Sequence, residues 1–339
     1  MASRSLNQNL HAAKASKKDE FYTQLEDIER ELRHYKDHFK GKVVLCNCDD
    51  PRISNFFHYF AHNFEDLRLK KLITTCYKNH DRDLFSRNDS ESAIWLEYNG
   101  DRDGNRVPDP EEIGIHEFQR DGDFRSDECI ELLKQADIVV TNPPFSLFRE
   151  CVEQLIQYKK KFLLIGNMNA VHYKEVFKLI KENKLWLGES IHSGDREFGV
   201  PDSYPLEAAS SRIDEQGRKF IRVKGVRWFT NMDNPNRHEE LPLYKKYSAS
   251  ENPRYDNLDA VEVGKTGEIP CDYDGWMGVP DAFLDKYNPD QFEIIGLPTG
   301  DSGKEIGVTK NYRGRTDISI TKDGKTRCPY SRIIIRRKK

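Results

Sequence analysis

The chain is 339 residues long, 37% hydrophobic and 33% charged, with a formal net charge of −3 and a mean hydropathy of −0.81. No run approaches the roughly 20 apolar residues that span a bilayer, and the Met-Ala-Ser-Arg-Ser start carries no apolar signal core, so neither membrane insertion nor secretion is expected. Seven scattered cysteines, of which only Cys46 and Cys48 lie close together, fit reduced thiols in the cytoplasm better than a disulfide framework.

Leu25, Ile28, Leu32, Tyr35 and Phe39 recur at steps of three and four, which predicts a helix over about 19–39, ended by Gly41. Residues 42–47 follow as a short buried strand, 53–64 as a helix and 72–76 as a second strand. Ile94, Leu96 and Tyr98 alternate ahead of Asn99-Gly100 and read as a hairpin inserted in a charged loop. The rhythm then resumes: a strand at 115–118, a helix at 127–134, a strand at 137–141, a helix at 147–158, a strand at 162–165, a helix at 173–181 and a strand at 185–187. Strands alternating with helices of about ten residues predict an α/β fold with a mostly parallel, twisted sheet covered on both faces.

From Gly188 the pattern loosens. Residues 190–225 read as a Gly-, Ser- and Pro-bearing loop, and 226–230 as one last strand. After about 236 the chain is punctuated by Pro and Gly, with short strand candidates at 258–263 and 332–335. No internal repeat or low-complexity segment is present. The simplest division is an α/β domain over 1–235, with 190–225 inserted, followed by an irregular region over 236–339.

Charge is unevenly spread. Lys304 to Lys339 holds 12 Lys/Arg against 3 Asp/Glu, a local net of +9 that leaves −12 for the rest. Such an edge suits a polyanion, although a solubilising C-terminus would have the same composition.

The informative segment is Asn142-Pro143-Pro144-Phe145, which follows the apolar strand 137–141 directly. Ligands in open α/β sheets bind beyond the carboxyl ends of strands. Two prolines hold the chain extended and remove two backbone donors, leaving carbonyl oxygens beside the Asn142 side chain. The lone pair of a planar exocyclic amine such as adenine N6 is delocalised into the ring. Acceptors from Asn142 and the Pro143 carbonyl would draw that nitrogen toward tetrahedral geometry, while Phe145 stacks on the ring, so that positioning supplies most of the catalysis. The bland alternative is a rigid turn after a strand.

Asn142-Pro143-Pro144-Phe145 resembles the signature of S-adenosylmethionine-dependent amino-methyltransferases. Longer blocks resemble the EcoRI modification methylase family of adenine-specific DNA methyltransferases: residues 19–24, 46–52, 121–126, 137–150 and 277–280. The resemblance runs from about residue 10 to the end, with gaps in 79–115 and 190–225. It implies a Rossmann-like methyltransferase fold with a C-terminal target-recognition region, and S-adenosyl-L-methionine as cofactor. It implies that Phe21, Tyr22 and Thr23 meet the methionine part of that cofactor, that Asp50 and Pro51 open the main cofactor loop, and that Asp123 and Phe124 lie at its adenine ring. Ser54 and Phe56 stand where that loop usually has glycines, and no acidic residue ends the second strand, with Asp49 or Asp50 as the substitute.

The expected activity is methyl transfer to N6 of an adenine flipped out of duplex DNA, as the modification enzyme of a restriction-modification system. Arg313, Arg315, Lys322 and Lys325 are the expected DNA-binding residues, and GAATTC is the first site to test. A monomeric, cytoplasmic enzyme is expected. Two alternatives stay open at this point: an RNA or protein-glutamine methyltransferase, and a non-catalytic DNA-binding protein with a methyltransferase fold. The ten dispersed histidines form no His-x-x-His array, so no metal centre is expected. Trp228 and Trp276 read as core, with base stacking the sharper alternative, and Cys76 and Cys129 as inert buried thiols.

Overall fold

The computed structural model describes residues 21–47, 54–75, 93–105, 108–109, 111–200, 204 and 211–338. The chain divides into two compact units, one of residues 1–170 and 188–232, the other of 171–187 and 233–339. The first contains, in order, β1 (Tyr22–Thr23), α1 (Leu25–Leu32), β2 (Val43–Cys46), α2 (Asn55–His62), β3 (Lys71–Thr75), β4 (Ile94–Tyr98), β5 (Ile113–Glu117), α3 (Asp127–Gln135), β6 (Ile138–Thr141), α4 (Phe148–Gln157) and β7 (Lys161–Asn167). Next come α5 (Lys174–Lys181) and β8 (Trp186–Leu187) of the second unit. The first unit resumes with β9 (Asp195–Val200), β10 (Ser211–Ile213), β11 (Lys219–Lys224) and β12 (Val226–Thr230).

The main sheet of the first unit has the order β5-β4-β3-β2-β6-β7-β12. Its four central strands are parallel, and every residue of β2 and β6 is buried, as expected for strands covered on both faces. The flanking strands β4, β5 and β12 run antiparallel, so the sheet is mixed rather than mostly parallel. Residues 94–98 do form a hairpin, with β5, but it belongs to the main sheet rather than to a free loop. Pairing of Leu72 with Tyr98 and Thr74 with Leu96 extends the sheet, because burying Leu96 and Tyr98 requires a partner that the local alternation does not name.

The first helix is shorter than its apolar periodicity. It stops at Leu32 and continues through turns to a 3-10 segment at Lys36–His38. Ile28, Leu32, Tyr35 and Phe39 are nonetheless all buried, so the spacing reports a buried face rather than one unbroken helix. Residues 21–24, inside the expected helix, instead contain β1 at Tyr22–Thr23. The expected loop 190–225 is also corrected: β1, β9, β11 and β10 form a four-stranded antiparallel sheet. Phe198, Val200, Phe220 and Ile221 are its buried apolar positions. Gly166 on β7 admits α4, since a Cβ there would sit 2.5 Å from the Phe148 ring.

The second unit adds β13 (Val261–Glu262), β14 (Met277–Pro280), β15 (Phe292–Gly296), α6 (Gly300–Glu305), β16 (Ile320–Lys322), β17 (Lys325–Arg327) and β18 (Arg332–Arg337). The region expected to be irregular has a sheet of order β13-β14-β18-β15 with Ile333, Ile334 and Ile335 fully buried. The sequence division at 235/236 differs from the observed one in that 171–187 groups with this unit, where α5 packs on β15.

Candidate active site

Parallel strands β3, β2 and β6 end side by side, with Cys46 opposite Thr74 and Leu45 opposite Val139. Asn47 follows β2 and Asn142 follows β6, which puts both at the crevice where open α/β sheets bind ligands. The Thr141 hydroxyl donates to the Asn47 carbonyl, tying the two strand ends together. β1 is brought alongside by two contacts. Asn55, at the start of α2, donates its amide to the Thr23 carbonyl at 2.7 Å, and Asn142 Nδ2 donates to the Phe21 carbonyl at 2.6 Å.

The second contact fixes the orientation of Asn142. A carbonyl only accepts, so the NH₂ end of the amide must face Phe21. The acceptor Oδ1 is thereby turned the other way, and it is buried without a hydrogen-bond partner among the described residues. Three more buried acceptors share that state: Thr23 Oγ1, Asn47 Oδ1 and Thr74 Oγ1. Buried polar atoms are normally satisfied, and these four, on β1 and at the strand ends, could accept hydrogen bonds from a polar ligand. Asn47 and Thr74 were not singled out by sequence reasoning; a polar residue at the carboxyl end of an otherwise apolar strand was their only local signal.

Pro143 is buried and Pro144 half-buried. Pro144 starts a 3-10 turn over Phe145–Leu147, with its carbonyl accepting from Leu147 N at 2.8 Å. Phe145 is buried and meets Phe21 edge to face, with ring centroids 5.6 Å apart. Phe21 in turn contacts Phe198 and Tyr204, so the β9 sheet adds an aromatic wall that sequence reasoning missed.

Asp123 is committed to Arg125: Nε reaches its Oδ1 at 2.9 Å and Nη2 its Oδ2 at 2.6 Å. Arg125 Nη1 continues to Glu150. Phe124 is buried under this guanidinium. Asp50 and Pro51, together with Asp49 and Cys76, lie outside the described residues. Phe56 points into the core against Trp228, which explains how an aromatic residue stands at an expected glycine place. Trp228 itself is wholly buried, and Trp276 packs on the core of the second unit. Burial pushes the Cys129 thiol up to about 11, in keeping with an inert thiol.

The basic tail divides in two. Arg332 pairs with buried Glu262 at 2.5 Å, Arg336 pairs with Glu293, and Arg337 and Lys338 bond to backbone carbonyls. These cations hold the second unit's sheet together and are not part of an open edge. Arg313, Arg315, Lys322 and Lys325 are all exposed. Lys322 and Lys325 face each other across the β16–β17 hairpin, whose Asp323-Gly324 turn has both φ angles positive, the geometry of a two-residue hairpin loop. Like charges directly opposite are unfavourable, and a polyanion relieves that repulsion.

The chain matches the family model described as adenine-specific methyltransferase EcoRI over residues 9–338. It is 49% identical over 341 residues to the type II methyltransferase M.EcoRI of Escherichia coli, covering 100% of this chain and 99% of that protein. It is 38% identical over 335 residues to M.MpnI of Mycoplasma pneumoniae, covering 96% and 97%. A type II methyltransferase of Mycoplasma genitalium is 38% identical over 338 residues, covering 97% and 98%. No solved structure matches the chain significantly. No helix among the described residues is long and apolar enough to cross a membrane. On its motifs and on matches that span nearly its whole length, the chain belongs to the EcoRI family of adenine-specific methyltransferases.

Proposed function

We propose that this protein transfers a methyl group from S-adenosyl-L-methionine to N6 of an adenine flipped out of duplex DNA, as the modification enzyme of a restriction-modification system. The observation that carries the reading is the buried, unpartnered Oδ1 of Asn142, turned away from Phe21 by the amide bond behind it. An adenine N6–H satisfies that acceptor, and the Pro143 carbonyl supplies a second. Together they pull the amine toward tetrahedral geometry as positive charge develops on it. Phe145 contributes a ring face to the base.

The residues fit the cofactor. Thr23 Oγ1, Asn47 Oδ1 and Thr74 Oγ1 are buried acceptors that lack partners among the described residues, and the cofactor's ammonium and ribose hydroxyls are donors. When bound, it supplies a sulfonium methyl that is attacked directly by an amine, chemistry that needs no metal. Phe21, Tyr22 and Thr23 hold its methionine part, Asp50 and Pro51 open the loop around it, and Asp123 and Phe124 lie at its adenine, with two hydrogen bonds from Arg125 fixing the Asp123 carboxylate. The second unit reads the target: Arg313, Arg315, Lys322 and Lys325 contact phosphates. Reduced thiols and a DNA substrate fit a monomer acting in the cytoplasm.

The test is methyl transfer from tritiated cofactor to a duplex containing GAATTC, to a duplex lacking it and to RNA of the same sequence, followed by nucleoside analysis. N6-methyladenine in DNA alone is expected. Label in RNA or protein, or cofactor binding without transfer to any duplex, would replace this reading with one of its alternatives.

A further inference from the structure

The β4–β5 connection carries a second feature, in the first unit but apart from the residues assigned above. Asp101, Asp103 and Glu112 bring carboxylate oxygens within 4.8 Å of one another. Glu112 is only 6% exposed. Its Oε1 accepts the Arg102 N–H, whereas its Oε2 is buried with no hydrogen-bond partner among the described residues. An ionised carboxylate oxygen withdrawn from water without a donor is costly. The surroundings are acidic: after burial, the charges of Glu112, Asp101, Glu65 and Asp109 push the neighbouring Tyr98 phenol up to about 12. A pocket lined by His62, Glu65, Asp66, Tyr98 and Asp101 opens beside it.

The order of these residues in the loop points to a ligand. Counting Asp101 as the first, Asp103, Asn105, Asp109 and Glu112 stand at positions 3, 5, 9 and 12. Oxygen-rich calcium loops draw their ligands from those positions, ending on a bidentate glutamate at the twelfth. The glycine departs from that pattern, standing fourth rather than sixth. Gly104 has φ +80° and the Asp101 carboxylate accepts its N–H, so the sharp turn is made earlier. The loop is also framed by strands rather than helices. An all-oxygen set without nitrogen or sulfur disfavours zinc and copper. Carboxylates spread along one loop suit the irregular coordination of calcium better than the octahedron magnesium requires.

We propose that Asp101, Asp103 and Glu112 bind a calcium ion that neutralises the buried Glu112 and staples the β4–β5 edge of the main sheet. This site departs from the expectation of no metal centre, and the ion takes no part in methyl transfer. The test uses the full-length chain stripped with a chelator, with terbium as a luminescent calcium substitute excited through Trp95 and Tyr98 on β4. Saturable terbium emission is expected, displaced by calcium between about 10⁻⁵ and 10⁻³ M and by magnesium only at higher concentration. Glu112→Gln should abolish it. Because that buried variant risks misfolding, Asp103→Asn at an exposed position is the second arm, and should weaken calcium binding about tenfold or more. Absence of saturable emission, or unchanged calcium displacement in Asp103→Asn, would overturn the site.

Discussion

The side-chain amide of Asn142 donates to the backbone carbonyl of Phe21 at 2.6 Å, across 121 positions of sequence. This bond joins the Asn-Pro-Pro-Phe tetrapeptide to the residue that leads into β1, so the two motifs form one object. It also commits the donor end of the amide and presents the acceptor end to the site. Phe21 is itself held by the pairing of β1 with β9, Tyr22 opposite Gly199 and Thr23 opposite Phe198. Strand β9 therefore sets the position of β1.

Asn142→Ala removes one acceptor at the reacting amine and should lower single-turnover methylation by about 10²–10³, with DNA binding retained and cofactor binding weakened only by the lost bond to Phe21. Asn142→Asp keeps an acceptor but sets a carboxylate against the Phe21 carbonyl, so it should also weaken cofactor binding by displacing β1. Near wild-type turnover in Asn142→Ala would take the tetrapeptide out of the mechanism.

DNA affinity should fall steeply with salt. Neutralising Arg313, Arg315, Lys322 and Lys325 should flatten the plot of log affinity against log salt by about 0.9 for each phosphate that no longer meets a cation. Neutralising Arg336, already paired with Glu293, should leave the slope unchanged. Equal slopes for the four-residue variant and wild type would reduce the exposed set to a solubilising role.

Phe145 reports base flipping. With 2-aminopurine at the target adenine, addition of enzyme should change its fluorescence, and Phe145→Ala should give a brighter flipped state because a quenching ring is gone. The grip on the base should weaken by roughly 1–3 kcal/mol if it resembles stacking in single strands. Phe145→Leu, which keeps an apolar group against Phe21, separates the stacking effect from the packing effect. A probe at the target that behaves like one three positions away would show that no base is extruded, and duplex DNA would then fail as substrate.

His238 makes the second unit's stability depend on pH. Asp290 and Asp233 accept from its two ring nitrogens at 2.7 and 3.0 Å, and these hydrogen bonds raise its pKa above the usual 6.5. A raised folded-state value means the fold favours the protonated ring. The contribution is complete below pH 6.5 and is lost as pH rises through the folded value. His238→Gln should remove that decline, measured by urea unfolding at steps from pH 6 to 9. Parallel stability profiles for the two proteins would show that the histidine carries none of it.

Several features were legible in the residues themselves. The alternation of apolar strands with amphipathic helices gives the α/β class, since each element's periodicity records the face it must bury. The tetrapeptide after the strand ending at Thr141 pointed to the proposed site, because a strand end in such a sheet is a place as well as a conformation. The tertiary structure alone decided which strands pair. The alternation at 94–98 announced a strand but not that β3 would be its neighbour, and nothing local announced that residues 195–200 would pair with Tyr22 and Thr23. It also decided which cations are spent internally. Arg332 and Arg313 look alike in the sequence, yet one neutralises buried Glu262 and the other stays exposed. The reason is common to these cases: the partner is tens of residues or more away, and local propensity carries no information about a contact made only when the chain closes on itself.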